Sequence, residues 1–303
     1  MINYIPHNEI DKNKWDNCIK NAGNEFIYAY SWFLDIVSPS WDAIILDDYQ
    51  AVMPLTWSVK WNIKYLFPPL FTQQLGIFSA DMPSSELIGQ FIAAIPDKFK
   101  LVQIKLNEYN IIDSNIKFKL HDNHQIDLSK AYEKLYNSFN RNCKRNINKA
   151  RACKLEIRSD ITPKTFTLFV KKHLEHELKQ LGIKEFITLE KLIAELQKRE
   201  AGEIYGAYTH AGELCGVALH LITRYRCIFS VCASSKTGKQ CHAMYLLVSS
   251  QIKKYAGSGK IFDFSGSNIP GIAYFNSTFG SEIKTYPSIT INRLPWPFKL
   301  LKK

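Results

Sequence analysis

The chain has 303 residues, 46% hydrophobic and 22% charged, with 39 basic against 28 acidic side chains for a net charge of +11. That is the profile of a soluble globular protein with one large or two medium domains. No run approaches the roughly 18 apolar residues of a membrane span, and seven cysteines without a C-x-x-C pair argue against a disulfide frame or a zinc site.

The opening residues, MINYIPHNEIDKNKW, place no apolar core behind basic residues. No secretory signal is therefore expected, and a cytoplasmic protein with reduced thiols is. A short strand is expected over 3–6, and a helix over 8–21 with Ile10, Trp15, Cys18 and Ile19 on one side. A second helix, 29–37, stops at Ser38-Pro39. Three extended runs follow (41–48, 49–62 and 63–71), rich in aromatic and β-branched residues. Ser84 and Ser85 open a helix reaching Lys98. A strand begins at Leu101, and IKFKL and HQIDL read as a hairpin turning at His121-Asp122-Asn123.

From Ser129 to about Arg151, Leu135, Phe139, Cys143 and Ile147 recur every fourth residue, which predicts one long helix with an apolar stripe. Eight basic residues and one acid lie between Lys134 and Arg158. A concentrated positive face either fits a polyanionic partner or is simply solvated. The second half opens with a strand at LEIRSDI. Thr162-Pro163 then starts a helix running to Leu181, and another spans 189–199. Strands follow at EIYGAYTH, ELCGVALHLIT and YRCIFSVCAS, a helix at 242–255, the strand KIFDF, and finally EIKTY and SITINRL as two strands. Both halves share one order: strand, two helices, three antiparallel strands, helix, strand, short segment, two strands. This is an internal structural repeat.

That order resembles the GNAT acyltransferase fold, here twice in tandem, and a tandem pair joined by a basic helix is similar to the Fem-type aminoacyl transferases. The resemblance covers most of the chain. Its sharpest parts are RNCKRNINKARACKLEI (141–157) and GSGKIFDFSGSNIPGIAYFNSTFGSE (257–282). They are similar to the family's basic helix and to its G-x-x-x-hydrophobic-D-F-x-G pattern with a later F-K-x-x-F-G. Asn276 stands where the family usually has lysine, and the long coiled-coil arm of some members is absent. The implied fold is α+β: two GNAT-like domains, each a mostly antiparallel sheet flanked by helices, over 1–128 and 153–303, with the basic connecting helix at 129–152.

The resemblance implies transfer of an acyl or aminoacyl group from acyl-CoA or aminoacyl-tRNA to an amine. The acceptor would be a small molecule or a nucleotide- or lipid-linked amine, with tRNA as a further partner, no metal and no stable membrane insertion. Expected substrate contacts are Asp263, Gly266, Ser267, Tyr274, Phe275 and Asn276, in a cleft between the domains. Asp263 would orient an amine or, as Asp near turns commonly does, cap its own backbone. Expected phosphate contacts are Arg141, Lys144 and Arg145 on the basic helix and Ser235, Lys236, Gly238 and Lys239 in the loop before residue 242; the alternative there is a plain hydrophilic turn. His242 is a general-base candidate without a named partner. His173-Leu-Glu-His176-Glu177 lacks the H-E-x-x-H spacing of a zinc peptidase, so His173 is expected to pack. The tail from Arg293 mixes aromatic and basic residues and fits either a membrane surface or an ordinary chain end. A non-catalytic binding module for a phosphate-containing ligand is the alternative function.

Overall fold

The computed structural model describes residues 1–174, 182–266 and 268–296. The chain forms two compact units, Met1–Asp122 with the segment from Thr285 onward, and Asn123–Lys284. In chain order the first unit holds β1 (Ile2–Ile5), α1 (Lys12–Asn21), α2 (Ser31–Val37), β2 (Trp41–Leu46), β3 (Ala51–Lys60), β4 (Ile63–Leu66), β5 (Phe78–Ser79), α3 (Ser85–Ala93) and β6 (Phe99–Lys105). Strand β7 (Phe118–Asp127) leads into the second unit. There follow α4 (Tyr132–Ser138), α5 (Arg141–Ala152), β8 (Glu156–Arg158), α6 (Pro163–Leu174), α7 (Ile183–Lys198), β9 (Gly202–Tyr208), β10 (Leu214–Ile222), β11 (Arg226–Ser234), α8 (Lys236–Gln240), α9 (Ala243–Tyr255), β12 (Ile261–Asp263) and α10 (Pro270–Ser277). Strand β13 (Glu282–Asn292) returns to the first unit.

In the first unit the sheet runs β1-β2-β3-β4-β6-β13, with β5 beside β3; among the described strands β4 and β6 pair in parallel. Its core gathers Ile44, Met53, Leu66, Phe91, Phe99, Val102 and Ile289 from strands and from the apolar face of α3. Ser84 caps α3 as its sequence suggests, accepting from Leu87 N at 3.2 Å. Helix α1 starts later than expected, at Lys12, because the Asp11 side chain accepts from Asn13 N and Lys14 N.

In the second unit the order is β7-β12-β11-β10-β9-β8, again with one parallel pair, β11–β12. Helices α4, α5 and α9 cover a core of Leu135, Phe139, Cys143, Ile147, Leu247, Phe262 and Phe279. The fourfold stripe is therefore buried as predicted, but on two helices rather than one. Asn140 interrupts them: its side chain accepts from Cys143 N at 2.8 Å to cap α5, and its N–H donates to Thr278 O at 2.9 Å.

Two further expectations change. The hairpin at His121-Asp122-Asn123 is continuous strand β7, because these polar side chains have partners instead of a turn. His121 Nε2 meets Ser288 Oγ at 2.8 Å, and Asn123 Nδ2 donates to Asp263 Oδ1 at 2.8 Å. The strands EIKTY and SITINRL are likewise one strand, β13. Pro287 lacks a donor, but its carbonyl accepts from Leu106 N at 2.9 Å, so the strand passes through it.

Both halves share a common frame of strand, two helices, three strands, helix, strand and closing strand, to which the first adds β5 and the second α8 and α10. The last strand of each repeat lies in the sheet of the other unit: β7 pairs with β12, and β13 with β6.

Candidate active site in the second unit

Strands β11 and β12 pair over Arg226↔Ile261, Cys227↔Phe262 and Ile228↔Asp263, and no further. A bulge marks the divergence. Leu219 opposes Val231 while His220 opposes Phe229, which leaves Ser230 as an extra residue in β11. Beyond Ile228 the β12-facing edge of β11 carries no strand among the described residues.

A buried ion pair holds the closed end of this fork. Arg226 Nη1 donates to Asp263 Oδ2 at 3.0 Å, both side chains being almost wholly enclosed. Asp263 Oδ1 accepts from Asn123 Nδ2 and, at 2.9 Å, from Ser265 N. Ser265 and Gly266 both adopt positive φ, 46° and 92°. The carboxylate thus pins the first residue of a tight left-handed turn at which the chain leaves β12.

The open end is a pocket of about 360 Å³. Phe229, Ser230, Cys232 and Ser234 line it from β11; Gly238, Lys239, His242, Met244 and Tyr245 from α8 and the start of α9; and Phe264, Ser265, Gly266, Gly271, Ile272, Phe275 and Asn276 from the segment after β12. Its base is aromatic, with Tyr245 4.8 Å from Phe275 and 5.6 Å from Phe279, ring centre to ring centre. His242, in left-handed conformation at φ 53°, begins α9. Burial, then the positive charges of Lys149 and Arg145, lowers its pKa and favours a neutral imidazole at neutral pH. Helix α5, which carries these two charges, packs against α9.

The corresponding fork in the first unit is filled. There β4 and β6 form the parallel pair, and the segment from Phe67 to Leu75 enters it. Phe67 N donates to Thr56 O at 3.0 Å and Leu75 N to Lys105 O at 2.9 Å, leaving a cavity of about 10 Å³.

Of the residues expected at the site, Gly238, Lys239, Gly266, Phe275 and Asn276 line the pocket. Asp263 lies beneath it, in its capping role as well as in the ion pair. Tyr274 is exposed, its hydroxyl accepting from Asn142 Nδ2 at 3.4 Å. Ser235 caps α8 by accepting from Gly238 N at 3.1 Å, and Lys236 faces solvent. Gly238 is required by packing, since a Cβ there would stand 1.9 Å from Cys215 O. Arg141 is exposed on α5, Lys144 Nζ donates to Asn137 O at 3.0 Å, and Arg145 Nη2 donates to Asn142 Oδ1 at 2.6 Å. Ser267 lies outside the described residues, as do His176 and Glu177; His173 packs 4.4 Å from the Phe169 ring. Among the described residues no group of three or more His, Cys, Asp or Glu is placed to hold a metal, and no helix is long and apolar enough to cross a membrane.

Sequence reasoning passed over the β11 wall. Ser230, Cys232 and Ser234 form a small, polar every-second-residue row in the strand that Arg226 opens, a period-2 signal that was there to read. It also passed over His220, fully buried behind Phe229 and Phe262, with neither ring nitrogen hydrogen-bonded among the described residues. Burial pulls its pKa down to about 3, while Glu203 opposes and Lys254 adds to the shift. The unfolded chain takes up a proton near pH 6.5 that the folded chain refuses until about 3. Stability is therefore full above about pH 6.5 and is lost as pH falls towards 3, with a limiting slope of about 1.4 kcal/mol per pH unit. Urea titrations from pH 7 to 4 should show a flatter profile for His220→Leu than for the native protein.

A pair of sheets, each forked at its single parallel pair, is the tandem GNAT-like fold, of α+β class as its sequence suggests. No protein-family model matches the sequence, and no curated protein does. Solved structures do match over nearly the full length. FemX is 13% identical at a TM-score of 0.68, covering 97% of this chain and 98% of its own. The C-terminal domain of a putative lysylphosphatidylglycerol synthetase from Agrobacterium fabrum is 10% identical at 0.62, covering 96% and 94%. A tandem GNAT protein from the clavulanic acid biosynthesis pathway is 12% identical at 0.53, covering 97% and 99%. The chain shares the tandem GNAT-like fold of these structures.

Proposed function

We propose that the protein is an acyl- or aminoacyltransferase whose reaction takes place in the second unit's pocket, moving the acyl group of an acyl-CoA or aminoacyl-tRNA onto an amine. The observation that carries this reading is the fork. It opens beside an edge of β11 that carries no strand among the described residues, and backbone N–H groups there can hold the carbonyl oxygen of a bound ester or thioester as charge develops. The bulged residue, Ser230, lines the cavity itself. An amine attacks the carbonyl carbon, the N–C bond forms, and the C–S or C–O bond to the carrier breaks. Positioning supplies much of the acceleration. His242, neutral and on the rim, takes the proton from the attacking amine, and Lys239 with the nearby α5 charges favours an anionic carrier.

The names of the structural neighbours point the same way. The clavulanic acid pathway protein was solved without AcCoA, and the Agrobacterium domain is named for a lysyl-phospholipid product. The two proposed donors differ in how they would be held. Because α8 is already capped by Ser235 and pressed against β10 at Gly238, a pyrophosphate would depend on lysine and arginine side chains more than on that loop's backbone.

Gly271→Trp tests the pocket directly. A side chain there meets open space, so the fold should persist while the indole fills the cavity mouth. The native protein should gain thermal stability with acetyl-CoA or with charged tRNA, and the variant with neither. His242→Gln should keep donor binding and lose about a hundredfold in transfer rate. In the native protein kcat/KM should fall as pH drops below the lowered His242 pKa. Absence of binding to either donor overturns the reading; binding without transfer to any amine establishes a binding module.

A further inference from the structure

The β3–β4 hairpin closes with register pairs Val59↔Lys64 and Lys60↔Ile63 and a two-residue turn, Trp61-Asn62. Both turn residues have positive φ, 51° and 60°. This geometry suits Asn-Gly and disfavours a bulky side chain at the first position. Trp61 nevertheless occupies it and is 72% exposed, with Val59 beside it 48% exposed. Lys60 Nζ lies 4.9 Å from the Trp61 ring, and Lys64 Nζ 4.7 Å from the ring of Trp57. Leu70, in the segment that follows β4, is also exposed. From Tyr49 to Ala80 the chain has no acidic residue at all, and its basic residues are these two lysines.

We infer that the hairpin tip docks the protein on an anionic phospholipid surface. An amphipathic indole held outward at a strained turn, an adjacent valine and two lysines folded back along aromatic rings form an interfacial anchor. The apolar parts enter the headgroup boundary while the ammonium groups stay at the level of the phosphates. The hairpin itself carries no acid to repel a negative surface, and Asp97, ahead of the neighbouring β6, is paired with Arg293 at 3.3 Å. The docking is carried by the first unit alone and does not depend on the acyl-transfer reading.

The test is co-sedimentation of the full chain with phosphatidylcholine vesicles, with and without phosphatidylglycerol. The native protein should sediment only with the anionic vesicles, and added salt should release it. Trp61→Gly removes the anchor at a position whose backbone suits glycine, so its melting temperature should not fall. Its vesicle binding should drop at least tenfold. Lys60→Gln with Lys64→Gln should lower vesicle binding about thirtyfold. Failure of the native protein to bind anionic vesicles overturns the inference. So does native-like binding by both hairpin variants, which would place attachment elsewhere, for instance on α5. Loss of tRNA binding in the hairpin variants while vesicle binding stays intact would assign the tip to nucleic acid and equally overturn it.

Discussion

Arg226→Met should be among the most damaging single substitutions in the second unit, costing about 3–5 kcal/mol of folding stability. The methionine fills much of the arginine's volume, so the loss is electrostatic: Asp263 is left charged in a site with almost no solvent access. Urea unfolding of the single variant against Arg226→Met with Asp263→Leu separates the two contributions. The double variant should recover a large part of the lost stability, because a matched apolar pair removes the uncompensated charge. It should not recover the pocket, since the carboxylate to which Ser265 N and Asn123 Nδ2 donate is gone. The pair thus serves the site mainly by fixing where β12 ends and where its left-handed turn begins.

Gly238→Ala comes next in expected effect. One added methyl group would stand 1.9 Å from the carbonyl oxygen of Cys215 and 2.9 Å from its carbon. These are backbone atoms of β10, which is paired on both edges and has little room to yield. Helix α8 has to lift instead, at a cost of about 1–3 kcal/mol. Lys239 and His242 follow immediately, so the pocket wall moves with the helix. A lowered urea midpoint together with weakened donor binding is expected; Gly271→Ala, which meets open space, should change neither.

Much of the architecture was legible because its signals are local. The stripe of Leu135, Phe139, Cys143 and Ile147, the Ser84 cap and the glycine and proline punctuation from Gly257 to Gly280 each depend on neighbours within a few residues. What escaped depends on distant partners. Asn140 breaks a helix because Thr278 accepts its N–H, and the polar triplet at 121–123 stays extended because Ser288 and Asp263 meet it across the fold. Arg226 reads as an ordinary charged residue at the start of a strand until Asp263, 37 positions later, is set beside it. The site divides in the same way. Gly266, Phe275 and Asn276 sit in a recognisable motif, whereas Ser230 matters because of a bulge that only the pairing with β10 reveals.

The exchange of final strands between the two repeats bears on how the protein is made. Strand β6 waits for β13, and Leu101 pairs with Asn292 across the whole length of the second unit. During synthesis the first unit therefore leaves the ribosome with β6 unpaired on that side, an exposed edge of the kind that recruits other chains. The first unit is completed only once β13 has been made, whereas the second unit, continuous from Asn123 to Lys284, can close earlier. A released chain truncated after Lys284 should accordingly protect the second unit from protease while the first stays open to cleavage, and the chain that includes β13 should protect both.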